Sequence, residues 1–278
     1  MAIEWTTAAR VAFQGTKQAY DNRHIIQKYW TKALAKFNKG STDVVVTGHS
    51  AAGKSFLVAQ LHGRARELFF EDPKESLKVE VEALTIGEWA RLVRVLPGQP
   101  GRRVVGEMES IDTNRDLQGV IHVVDFGYVS PRDPAQAKSL LLRDGLDTID
   151  KLREHNLKGE IRDLTLLIGS ILKARSNFNR PNWLAIIVNK VDLFPHLLDE
   201  TLAYYHPDGT GAFGKELSRL QGQLGSDSFG IYIVPACANE TDFAWNDQTV
   251  KSALARDDQD KMLRELVKSL AHISEKHS

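Results

Sequence analysis

The chain has 278 residues, 36 basic and 36 acidic side chains, and a 42% hydrophobic composition. That length suits one large α/β domain or two small ones, and zero net charge gives no overall pull toward nucleic acid. The one cysteine, Cys237, excludes an internal disulfide framework and makes a reducing, cytoplasmic setting the expectation.

In chain order, the opening Met-Ala-Ile-Glu-Trp-Thr-Thr lacks the charged and apolar regions of a signal peptide. No apolar run approaches the ~18 residues that a membrane span needs. Residues 6–37 read as a helix, with Ile26, Trp30, Ala33, Leu34 and Phe37 at helical spacing. This stretch is basic: Arg10, Lys17, Arg23, Lys28, Lys32, Lys36 and Lys39 stand against Glu4 and Asp21. Residues 1–40 therefore form an expected helical extension. It either packs on the domain or makes a peripheral membrane contact.

A buried strand is predicted over 43–47, followed by Gly48-His49-Ser50-Ala51-Ala52-Gly53-Lys54-Ser55 and a helix. This spacing is the phosphate-binding P-loop pattern. Two glycines let backbone N–H groups turn inward around phosphate oxygens, and the following helix adds its positive end. Lys54 would reach the β- and γ-phosphates, and the Ser55 hydroxyl would ligate Mg²⁺. The alternating run 78–84 and the strand 89–96 read as an antiparallel hairpin, closed by the loop Pro97-Gly98-Gln99-Pro100-Gly101.

The strand 119–125 ends in Asp125. Two helices are expected within 130–181, one through Leu140, Leu141, Leu146, Ile149 and Leu152, the other through Leu164, Leu167, Ile168, Ile171 and Leu172. Residues 183–188 form the next strand and end at Asn189-Lys190-Val191-Asp192. A helix through Phe213, Leu217, Leu220 and Leu224, a last strand at 231–234 and a C-terminal helix through Leu263, Leu266, Val267, Leu270 and Ile273 complete the chain. Alternating strands and helices predict an α/β fold. Its six-stranded sheet is mostly parallel, with one antiparallel hairpin strand and helices on both faces.

In this order the motifs resemble those of a guanine-nucleotide-binding G domain, closest to the ADP-ribosylation-factor branch, whose loop carries a similar Ala-Ala-Gly-Lys. The resemblance covers 43–274 and implies a G domain over 41–278 with a helical insertion at about 130–181. It implies GTP or GDP with Mg²⁺ as ligands, and a protein partner that reads switch loops at 69–76 and 98–116. Asn189, Lys190 and Asp192 are the implied base-selecting residues. A carboxylate at Asp192 accepts both ring-edge donors of guanine, which adenine lacks, and the Lys190 stem lies over the purine. Cys237 and Ala238 stand where the family places Ser-Ala, so the Ala238 N–H would meet the guanine oxygen.

The family's Asp-X-X-Gly motif departs here: the positions read Val95-Leu96-Pro97-Gly98. Gly98 would still touch the γ-phosphate and Gln99 would orient the attacking water. Ser76 and Asp125 are the candidates for the missing Mg²⁺ contacts. Arg102, Arg103, Arg175 and Arg180 are candidate cationic fingers. His196, His206 and Cys237 make no zinc cluster. Three functions stay open: a slow GTPase switch, a hydrolysis-poor nucleotide-binding module, and a P-loop ATPase using Asp125 at its metal.

Overall fold

The computed structural model describes residues 43–61, 80–86, 89–96 and 108–277. The basic extension, Ser76, Gly98, Gln99, Arg102, Arg103, the first switch segment and most of the second lie outside the described residues.

Six strands form one sheet: β1 (Val44–Gly48), β2 (Glu80–Ile86), β3 (Trp89–Val95), β4 (Gly119–Val124), β5 (Trp183–Val188) and β6 (Gly230–Pro235). Their spatial order is β2-β3-β1-β4-β5-β6. All neighbours pair in parallel except β2, which runs antiparallel to β3 at one edge. A short ribbon that the sequence reading did not anticipate, β7 (Phe243–Trp245) with β8 (Gln248–Val250), forms a separate two-stranded sheet.

The central strands are apolar at nearly every position because both faces of the sheet are covered. Successive side chains go to opposite cores. Val45, Val120, Val124, Leu184, Ile186 and Val188 meet α3 (Ile149–Phe178) and α5 (Ala212–Leu224) on one face. Val44, Val46, Ile121, Val123, Ala185 and Ile187 meet α1 (Lys54–Leu61) and α6 (Arg256–Lys276) on the other. Phe213, Leu217 and Leu220 of α5, and Leu263, Leu266, Leu270 and Ile273 of α6, are the buried stripes.

The segment between β4 and β5 divides differently from the expectation. Helix α2 is short (Pro134–Leu142), and Ile149 and Leu152 belong to the 30-residue α3. The break is local. Gly145 takes φ +65°, and Thr148 then caps α3 by accepting the Lys151 amide at 3.3 Å. At the other end Asn179 closes α3 in the left-handed conformation. A further short helix, α4 (Leu198–Tyr205), follows β5 and was not anticipated.

Candidate functional site

Parallel register brings the strand ends together. Gly48 pairs with Val123, Val124 with Val188, and Val188 with Pro235. The loops that follow β1, β4, β5 and β6 therefore leave from one sheet edge, the usual ligand side of an open α/β sheet.

The P-loop takes the backbone path that its glycines predict. Gly48 has φ +138°, and a Cβ there would stand 2.2 Å from the Val123 carbonyl oxygen. Gly53 has φ +90°, and a Cβ there would stand 2.4 Å from Asn189 Nδ2. Ala51 also adopts the left-handed region, at φ +62°. Such a non-glycine residue costs of order 1 kcal/mol or more and persists where its surroundings fix it. Lys54 is buried, and its ammonium donates to the Gly48 and His49 carbonyls at 3.0 and 2.7 Å. Ser50 and Ala51 are half-buried, Ala52 is fully buried, and Ser55 opens the first turn of α1.

Asn189 ties two loops together. Its Nδ2 donates to the Ala52 carbonyl at 2.9 Å, and its Oδ1 accepts the Ala238 amide at 2.9 Å. That amide is expected to face the guanine oxygen; here its one proton goes to Asn189. The loop after β6 is held from two more directions, by Gln60 to the Ala238 carbonyl (2.8 Å) and by Gln259 to the Cys237 carbonyl (3.2 Å). Neither glutamine was singled out from the sequence.

Asp192 is 1% exposed. Its Oδ1 accepts from the Cys237 thiol at 3.3 Å, and its Oδ2 is buried without a hydrogen-bond partner among the described residues. Burial, and then the Asp192 charge, push the Cys237 thiol well above the usual range, so it is a neutral donor rather than a reactive thiolate.

Asp125 pairs with Lys190 rather than standing free for a metal. Lys190 is left-handed at φ +60°, and its ammonium donates to Asp125 Oδ2 at 2.7 Å and to the Tyr128 carbonyl. Asp125 is fully buried in this ion pair. The carboxylate expected at a metal is therefore committed to a lysine, because β4 pairs with β5 and the two strands end side by side at Val124 and Val188. Val95 lies in the apolar core, 1% exposed. Of the expected metal set, Ser76 lies outside the described residues and the Asp125 carboxylate is held by Lys190. Among the described residues, no group of three or more His, Cys, Asp or Glu residues is placed to hold a metal.

Helix α3 braces the site through Arg153, Asn156, Glu160 and Asp163, spaced to share one helix face. Arg153 lies 4.6 Å from the Phe126 ring centroid and 4.5 Å from that of Tyr128. Asn156 Nδ2 donates to the Gly127 and Val129 carbonyls. Glu160 accepts the amides of Asp125 and Gly127, and the Tyr205 hydroxyl at 2.6 Å. Asp163 Oδ2 meets His49 Nδ1 at 2.9 Å, joining the helix to the P-loop. Burial, and then the nearby Asp125 charge, push the Glu160 carboxyl up to about 8. The i, i+3, i+7, i+10 spacing of this stripe is visible in the sequence, but it looks the same as a solvated helix face. Arg175, a candidate finger, instead binds Asn179, Pro181 and Asn182 at the far end of α3.

Two cavities flank the P-loop. One of about 290 Å³ is lined by P-loop residues Ala51 and Gly53, by Asn189 and Lys190, and by Ala238 and Asn239. The other, of about 320 Å³, lies between His49 and Ser50, the loop after β4, and α3.

No family model and no curated protein matches the chain. Among solved structures it is similar to the Arl6 BBS3 small GTPase from Trypanosoma brucei, solved with bound nucleotide analogue GppNp. The identity is 15% and the TM-score 0.43, over 86% of this chain and 99% of that one. It is also similar to the mammalian SRP receptor (16%, TM-score 0.44, 83% of this chain, 99% of that one). A third is a bacterial selenocysteine-specific elongation factor, EF-Sec (13%, TM-score 0.45), where 86% of this chain covers 29% of the other.

Proposed function

We propose that this chain is a guanine-nucleotide-binding protein on the G-domain plan, a slow GTPase whose conformation follows its nucleotide. The observation that carries the reading is convergence. The P-loop and the Asn-Lys-X-Asp motif lie more than 130 residues apart in sequence, yet Ala51 and Gly53 share one cavity with Asn189 and Lys190. A phosphate grip needs the first set and a purine-base site needs the second.

Each residue then has a physical task. The P-loop amides and the α1 end hold the phosphates. Lys54 exchanges its two backbone carbonyls for phosphate oxygens. The Lys190 stem lines the base cavity while its ammonium stays on Asp125. The unpartnered Asp192 Oδ2 supplies the buried acceptor that rewards guanine and penalises adenine. Ser55 would hold a bound Mg²⁺, which supplies charge neutralisation at the phosphates. The carboxylate part of its donor set is not met by Val95 or Asp125.

Competition calorimetry tests the reading: GTP and GDP should displace ATP readily. A preference for ATP would overturn it. The burial of Val95 favours a second reading, a nucleotide-dependent interaction module that hydrolyses little. Multiple-turnover phosphate release that disappears in Gln99→Ala would count against that module. The ATPase reading loses support because Asp125 is paired with Lys190.

A further inference from the structure

Among the described residues, Arg132 is the one that lines both cavities beside the P-loop. The first cavity carries the base motif, and the second lies beyond His49 and Ser50. The P-loop lines both, through Ala51 and Gly53 in the first and His49 and Ser50 in the second, so a phosphate chain wrapped by that loop passes between them. Arg132 stands at that crossing. It is exposed, and no hydrogen bond or ion pair engages it among the described residues.

Its backbone is unusually fixed for an exposed residue. Pro131 precedes it. Asp133 follows and caps α2 by accepting the Ala135 amide at 2.9 Å, with Pro134 at the first helical position. Upstream, Phe126 and Gly127 are both left-handed, at φ +52° and +78°. The Tyr205 hydroxyl, Glu160 and Asn156 hold them and Val129 in place. A loop so over-determined presents a charge with little ordering cost. A guanidinium matches phosphate oxygens with a planar fork of donors.

We infer that Arg132 is a phosphate-binding residue of this chain, contacting the β- and γ-phosphates of the bound nucleotide in cis. This inference rests on the nucleotide reading above. It supplies positive charge at a site where Val95 replaces a metal-binding carboxylate. Arg162 and His155 line the outer cavity alone and would sit farther along the same path.

The test is calorimetry of the full chain with GMP, GDP and GTP, comparing wild type with Arg132→Ala, Arg132→Lys and the control Arg143→Ala. Arg143 is exposed and lines neither cavity. The expected result is an affinity loss of about ten- to a hundredfold for GDP and GTP in Arg132→Ala, the range for a hydrogen bond to a charged group. GMP affinity should be unchanged, Lys should restore part of the loss, and Arg143→Ala should have no effect. Melting temperatures should match wild type, since the side chain is exposed. Equal GDP and GTP affinities in wild type and Arg132→Ala would overturn the inference while leaving the nucleotide reading intact. A loss that includes GMP to the same degree would overturn it too, placing Arg132 on the nucleoside. Failure of the wild type to bind any of the three would instead remove the nucleotide reading itself.

Discussion

The lysines of the proposed base side and phosphate side of the site are held by different kinds of contact. On the base side the bonds are long-range and buried. Asn189 joins Ala52 to Ala238, Asp125 pairs with Lys190, and Gln60 and Gln259 reach across to the loop after β6. On the phosphate side, Lys54 donates to carbonyls five and six residues away in its own loop. A base pocket braced by the whole fold is preorganised to discriminate. A phosphate grip whose lysine rests on its own loop can respond to what arrives. Under the proposed nucleotide reading, specificity and state-sensing would occupy separate mechanical environments.

The largest effect should come from Gly48→Ala, which attacks both sides at once. The new Cβ meets the Val123 carbonyl at 2.2 Å in a backbone conformation that favours glycine. Denaturant unfolding should show a loss of about 3 kcal/mol or more, with nucleotide binding abolished. Asn189→Ala should sever the link between the two sides. It leaves the Ala52 carbonyl and the Ala238 amide buried without that partner, a loss of about 2–6 kcal/mol at roughly 1–3 per group. If the two sides are independent instead, base preference will survive this change.

Asp192→Asn sharpens the contrast because it should touch the base side alone. It replaces a buried acceptor with a donor, so the preference for GTP over ATP should fall by about a hundredfold or more in competition binding. Lys54→Ala is the converse. It should weaken GTP binding by about a hundredfold, the upper range for a charged hydrogen-bond donor, while leaving guanine-over-adenine discrimination in place.

A smaller effect comes from pH. Glu160 has a folded-state pKa raised to about 8 from an ordinary 4.5. The folded state therefore holds a proton that the unfolded state releases. The stability associated with that proton is full below about pH 4.5 and is lost as pH rises toward 8. The urea midpoint of wild type should fall between pH 5.5 and 8.5. Glu160→Gln should flatten that change, since Gln keeps an acceptor for the amides of Asp125 and Gly127. An identical pH slope in the variant would mean that Glu160 is ionised throughout.

Much of the fold was legible because its signals are local. Four of the six strands are apolar runs, the hairpin strands alternate or mix polar with apolar residues, and the P-loop and Asn-Lys-X-Asp carry fixed spacing. The site was legible only where chemistry resides in a contiguous motif. Asp192 stands out that way, whereas Glu160, Asp163, Gln60 and Gln259 act through contacts more than 20 residues away in sequence. Asp125 shows the limit most clearly. A strand-end aspartate reads equally as a metal ligand or as a lysine partner until β5 is placed beside β4. The ribbon β7–β8 escaped because three-residue strands carry too little alternation to register.

The burial of Cys237 has a practical consequence. The chain's sole thiol is buried, neutral and occupied with Asp192, so the folded protein offers thiol-reactive dyes no native attachment point. A cysteine introduced at Leu166, half exposed on α3, would give a single labelled position. Because α3 touches the P-loop through Asp163 and His49, a fluorophore there could follow nucleotide exchange in real time, with no background label to subtract.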